Sequence, residues 1–159
     1  MNDDNLKQLV AQSLSAMKAG GEVAAKATDE IGNDARHPAL KSALEQGNQT
    51  AKQWADRVAR AEQAAGGGQQ NDNKVLEAHY EVSRLIRQQA PDEQTRDLGI
   101  IAAGQLALHY WIASFGTMAN YLKQVGLADN AAEMKQSAEE AKQADDQHTQ
   151  IAEQLLAEG

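Results

Sequence analysis

The chain is predicted to fold as an all-α four-helix bundle with a short extra helix in the crossover. Three observations carry this. Ile101, Gly104, Leu108, Trp111, Phe115, Met118, Leu122 and Val125 follow one another at steps of three and four residues. That spacing lays a single stripe down one side of a helix, where it can pack against partner helices. The composition is rich in Ala, Gln, Glu, Lys and Asp, with aromatics at only 4 %, a mix that favours helix over strand. Strand-like alternation and internal repeats are absent, and the two prolines, Pro38 and Pro91, each stand where a helix can begin. A length of 159 residues suits one domain with its own core.

The first helix is expected over 3–31. Leu6, Leu9, Val10, Leu14, Met17, Ala24, Ala27 and Ile31 recur at helical spacing, and Asp3 or Asp4 can cap the start. Gly20-Gly21 interrupts it, which suggests a kink or a close neighbour, and Gly32-Asn33-Asp34 closes it. The second helix spans 38–64 with Leu40, Leu44, Ala51, Ala55 and Val58 inward and Trp54 at the edge. Its inner face is thin at Gly47 and Asn48, beside a polar stripe of Glu45, Gln49, Lys52 and Asp56. The Gly-rich stretch 65–73 reads as a flexible linker. A short helix follows over 74–89, then the central helix over 92–125, with acids in its first turn and Gly126 after its end. The last helix, 130–157, is capped by Asp129 or Asn130. Its seam is Leu127, Ala131, Met134, Ala138, Ala141, Asp145, His148, Ala152 and Leu155.

The formal net charge is −8 at pH 7, which argues against nucleic acid or an anionic membrane as partner. There is no cysteine, so disulfides, thiolate chemistry and Cys-ligated metal are excluded. The first residues carry no positive leader followed by an apolar core, and no uninterrupted apolar run approaches the roughly 20 residues of a membrane span. A cytoplasmic protein is the expectation. Gly66-Gly67-Gly68 precedes no Lys-Ser/Thr, so it is not a phosphate loop, and no Ser/His/Asp nucleophile arrangement can be argued.

The central helix resembles the bacterial YciE/YciF-type family. The residues that carry the resemblance are Arg96-Asp97, Ile101-Ala102-Ala103, His109-Tyr110, Ile112-Ala113-Ser114, Gly116-Thr117 and Gly126, continuing through Glu139-Glu140, Lys142 and Asp145. The resemblance implies a ferritin-like four-helix bundle, linked to stress responses and without a settled activity. It also implies a two-metal carboxylate site in the bundle core, in which Glu and His side chains from four helices surround two hard cations. This chain departs from that set. Where the family has Ala-Glu in its first helix, it reads Gly20-Gly21-Glu22. Where the family has Glu-x-x-His, it reads Gln49-Thr50-Ala51-Lys52. Where the family has Glu-His-Tyr-Glu, it reads Leu108-His109-Tyr110-Trp111. The final Glu of the acidic run in the last helix is Ala141, while Asp145 stays. Two divalent ions without their carboxylates would leave uncompensated buried charge. A core repacked without metal follows, and no cofactor is expected. The alternative is an altered iron or manganese site, whose weak candidates are Asp145, His148, His109, Glu22 and Glu45.

Asp145 and His148, three apart on an apolar seam, are either half of such a site or a buried polar pair held by Lys52 or Gln49. Lys52 either replaces the metal's charge beside Asp145 or lies exposed near Glu45 or Asp56. His109 is a ligand or a core-edge histidine bonded to an oxygen. His37 and His79 read as surface residues. Trp111 should sit mid-bundle in the volume the family gives to metal, opposite Gly20-Gly21, with its indole N–H on Gln49 or Asp145. The thin face of the second helix points to a homodimer.

Overall fold

A computed structural model describes residues 3–159. It holds five helices in the order α1 (Asp3–Asp34), α2 (Pro38–Ala64), α3 (Lys74–Gln89), α4 (Glu93–Gln124) and α5 (Ala128–Glu158), and no strand among the described residues. The four long helices close a ring: α1 packs on α2, α2 on α5, α5 on α4 and α4 on α1. The α4–α5 pairing is the most extensive, and short α3 lies against α4 and α1.

The seam read from α4 is its buried side. Ile101, Trp111, Phe115, Met118 and Leu122 are buried, while Gly104, Leu108 and Val125 are half-buried. One 18-residue window of α4 reaches a mean hydropathy of 1.4, enough by composition to cross a membrane even though polar residues interrupt it. In this fold the same helix packs against α5, α3 and α1 as the core helix of a bundle.

Helix ends follow local chemistry. Asp3 and Asp4 lie within the first turn of α1, and the position that would cap it is outside the described residues. α1 does not stop at Ile31. It runs on through Gly32 to Asp34, whose carboxylate accepts from Arg87 Nε at 2.8 Å. His37 caps α2, its Nδ1 accepting from Ala39 N, and Pro38 occupies the first turn. At the end of α4, Gly126 takes φ +85°. Leu127 N–H reaches Leu122 O, and Gly126 N–H reaches Lys123 O, the paired bonds of a Schellman turn. That turn is so tight that α5 begins at once. Leu127 holds the cap position without a side-chain bond, and Asp129 and Asn130 lie inside the helix instead of capping it.

The stretch 65–73 is held against α1. Ser15 donates to Gln69 O at 2.8 Å, and buried Asn73 donates to Ala16 O and to the Tyr110 hydroxyl while accepting from Leu76 N as the cap of α3. This explains Gly20. A Cβ there would stand 2.5 Å from Asn73 Nδ2 and 2.8 Å from Leu76 Cδ1, whereas one at Gly21 would meet nothing. The glycine pair therefore admits the start of α3, not the Trp111 ring. α3 is fastened further along by buried Arg87, which bonds Glu30, Asp34 and Ser83.

Buried Asp97 ties α4 to the α1–α2 corner by accepting from Arg36 N at 3.0 Å and His37 N at 2.6 Å. Hydrogen bonds to a charged group contribute about 1.5–3 kcal/mol each.

The two glycines should respond oppositely to Ala. Gly21→Ala should raise the melting temperature by a few degrees, from about 1 kcal/mol of helix propensity. Gly20→Ala should lower it, because the added methyl displaces Asn73 or Leu76. Thermal melts of the two variants in which Gly20→Ala is the more stable would contradict this packing.

Candidate functional site

The buried apolar residues fall into two groups at opposite ends of the bundle. One is built around Leu14, Trp54, Trp111, Phe115, Leu122 and Met134, the other around Leu40, Ile100, Ile101, Ile151 and Leu155. Between them the lining positions are small: exposed Gly47 and half-buried Ala51 on α2, Ala103, Gly104 and Ala107 on α4, and Ala144 on α5. Small residues facing one another across helices of normal spacing leave space. The result is a cavity of about 500 Å³ to which all five helices contribute.

Trp111 forms one wall. It is buried, 8 % exposed, as expected, but its ring is drawn toward Phe115, stacked at 5.2 Å, and toward Trp54 at 6.4 Å. It borders the central volume without filling it. Its indole N–H has no partner among the described residues, on Gln49, Asp145 or elsewhere. The indole with a carboxylate partner is that of Trp54, which is buried rather than at an edge and donates to Glu140 Oε2 at 2.8 Å. Arg57 makes two further bonds to Glu140, at 2.7 and 3.1 Å. Burial works to raise the Glu140 pKa, but the bonds from Arg57 and Trp54 outweigh it and hold the carboxyl below its ordinary value.

His148 is the other polar group at the centre. It is 7 % exposed, and a Cβ on Gly104 would come within 3.1 Å of its Nε2, so the glycine makes room for the ring. Its Nδ1 donates to Ala144 O at 2.8 Å, which leaves Nε2 as an acceptor. Burial lowers its pKa, against the smaller raising effects of the Ala144 carbonyl and the Asp145 charge. Burial alone lowers that of His79. Neither His37 nor His79 is a surface residue: both are half-buried, and His79 lines the cavity beside Tyr80. Burial pushes the Tyr80 phenol up to about 12.

The other candidates scatter. Asp145 makes no hydrogen bond to His148 and meets exposed His109 instead, Nε2 to Oδ2 at 3.0 Å, while its Oδ1 is buried without a partner. Lys52 is exposed and makes no ion pair with Asp145, Glu45 or Asp56. Glu22, Glu45 and Gln49 are exposed as well. Ala141 is buried in the apolar core and Leu108 packs at its margin. Among the described residues, no three of His, Asp or Glu gather closely enough to hold a metal ion. Trp54, Arg57 and Glu140 were missed in the sequence. Their signal was the i, i+3 spacing of Trp54 and Arg57, which puts an indole and a guanidinium on one face opposite an acidic run.

Comparison with known proteins places this architecture. The family described as a domain of unknown function, DUF892, matches residues 5–159. Protein YciF of Escherichia coli K12 is 33 % identical over 78 residues, 49 % of this chain and 47 % of that protein, so the alignment spans about half its length. The crystal structure of the E. coli stress protein YciF superposes with a TM-score of 0.91 at 20 % identity, covering 97 % of this chain and 98 % of that one. YcfI of Rhodopseudomonas palustris superposes with a TM-score of 0.85 at 17 % identity, covering 91 % and 92 %. Both likenesses concern the fold. With its full length from residue 5 onward matched, the chain belongs to the DUF892 family.

Proposed function

We propose that this protein is a ferritin-like, stress-associated helical bundle of the cytoplasm that catalyses no reaction and has lost the two-metal centre implied by its YciF-like sequence. The observation that carries the reading is the chemistry of the bundle's middle. The positions that face it are Gly47, Ala51, Ala103, Gly104, Ala107 and Trp111, and none of these side chains can ligate a hard cation. Of the titratable groups that do line it, Glu140 is already committed to Arg57 and Trp54, burial keeps the Tyr80 phenol protonated, and neither His79 nor His148 belongs to a group of three possible ligands among the described residues. Asp145 is turned to His109 at the surface. This donor set does not fit two divalent ions. The stress association rests on the likeness to YciF.

Protein purified without chelator and supplemented with iron or manganese should carry well under one ion per chain by elemental analysis. A stoichiometry near two would restore the alternative, an iron or manganese protein with an altered site.

Homodimerisation belongs to the same reading. Two surfaces support it: the thin face of α2, where Gly47 is exposed and Asn48 and Ala51 are half-buried at the cavity's edge, and the exposed apolar side chains of α3, Val75, Val82, Leu85 and Ile86. Light scattering at about 100 μM, above typical dimer constants, should give twice the chain mass. A monomer mass at that concentration would contradict it.

A further inference from the structure

The cavity is lined by three residues, Tyr80, Trp111 and His148, whose ring polar atoms are not all used within the protein. His148 Nε2 is an acceptor, because Nδ1 carries the proton donated to Ala144 O. The Trp111 indole N–H is a donor without a partner, on a residue more than nine-tenths buried. The Tyr80 hydroxyl likewise makes no hydrogen bond among the described residues. These groups come from α5, α4 and α3, so they converge on one space from three helices.

The rest of the wall selects the occupant. It is mostly apolar, with Ala and Gly surface, Ile31, Ile100, Leu108 and the rings of Trp54 and Trp111, and its other polar side chains, such as Asn48 and Thr50, stand on α2 near the rim. The volume, about 500 Å³, lies in the range of small-molecule sites. No free charge faces it from α2 or α5, since Glu140 is neutralised by Arg57. At the α2–α5 side the exposed lining residues are Gln46, Gln53, Gln143 and Gln147, a neutral polar mouth in a chain of net charge −8.

We propose that this cavity binds an uncharged, largely apolar ring compound that donates a hydrogen bond to His148 Nε2 and packs against the Trp111 ring. The ring lies against the small residues of α2 and α4, and the aromatic walls supply stacking contacts. The site uses the same centre as the metal-free reading but is a separate claim. Elemental analysis decides the first, and ring binding decides the second.

Indole is a suitable probe, with 1-methylindole as a match that lacks the donor. The chain has two Trp, both on the cavity wall, so their indole N–H resonances report occupancy directly. Indole should shift both resonances with a dissociation constant on the order of 1 mM, as expected for so few heavy atoms. Ala51→Phe and Gly47→Leu should weaken this tenfold or more. A Cβ at Gly47 meets nothing within 4 Å, so Gly47→Leu keeps the fold and should not lower the melting temperature. Leu106→Gln, at an exposed position away from the cavity, should bind as the parent does. His148→Leu should weaken indole several-fold and leave 1-methylindole unchanged. No shift of either resonance up to about 10 mM, equal binding by the parent and both filling variants, or equal loss of both probes in His148→Leu would overturn the proposal.

Discussion

The bond between Glu140 and its two donors on α2 is the constraint on which the middle of this bundle depends. Arg57 grips the carboxylate through two nitrogens and Trp54 through its indole, so α2 and α5 are fixed in both distance and register. That fixes the Trp54 ring, against which Phe115 packs edge-on at 5.3 Å and Trp111 lies tilted at 6.4 Å. The aromatic cluster is thereby gathered toward one end of the bundle. Without that tether, α2 could slide toward α4 and close the space that Gly47, Ala51, Ala103 and Ala107 leave between them.

Long helices keep such a space open because their ends are well packed. Leu14, Phe115, Leu122 and Met134 are fully buried at one end, and Leu40 and Ile101 at the other. Interiors are ordinarily filled to crystal density, so a gap at the waist forfeits dispersion contacts along its whole lining. The polar clamps act at its borders. Asp97 holds the α1–α2 corner, Arg87 and Asn73 hold α3, and Glu140 holds α2 to α5.

Much of this was legible in the residues. The three-and-four stripe of α4 named its buried face, and the α5 seam from Ala131 to Leu155 matched equally well because both helices are regular and long. The turn at Gly126 was legible too, since a helix end that needs positive φ selects glycine. Other features depend on which helices meet. Gly20-Gly21 signalled a close approach, but only the tertiary structure shows that the neighbour is Asn73. The thin face of α2 was visible as Gly47, Asn48 and Ala51, and one sequence cannot say whether a thin face looks outward to a partner or inward to a void. Asp97 stood among the residues of the family resemblance, yet its bonds to Arg36 and His37 span about sixty positions of chain. Asp145 and His148 do share the face of α5 that meets α4, but each has its own neighbour there, exposed His109 for one and Gly104 for the other, which the sequence of α5 alone does not show.

The central claim is that small residues leave a cavity at the waist of this bundle, walled on one side by Trp111. Diffraction from crystals pressurised with xenon tests it most directly, because xenon settles against apolar cavity walls and scatters strongly. The account predicts xenon bound between Ala51 of α2 and Ala107 of α4, with Trp111 stacked on Phe115. A waist collapsed without xenon, or a metal ion coordinated there by Asp145 and His148, would contradict it.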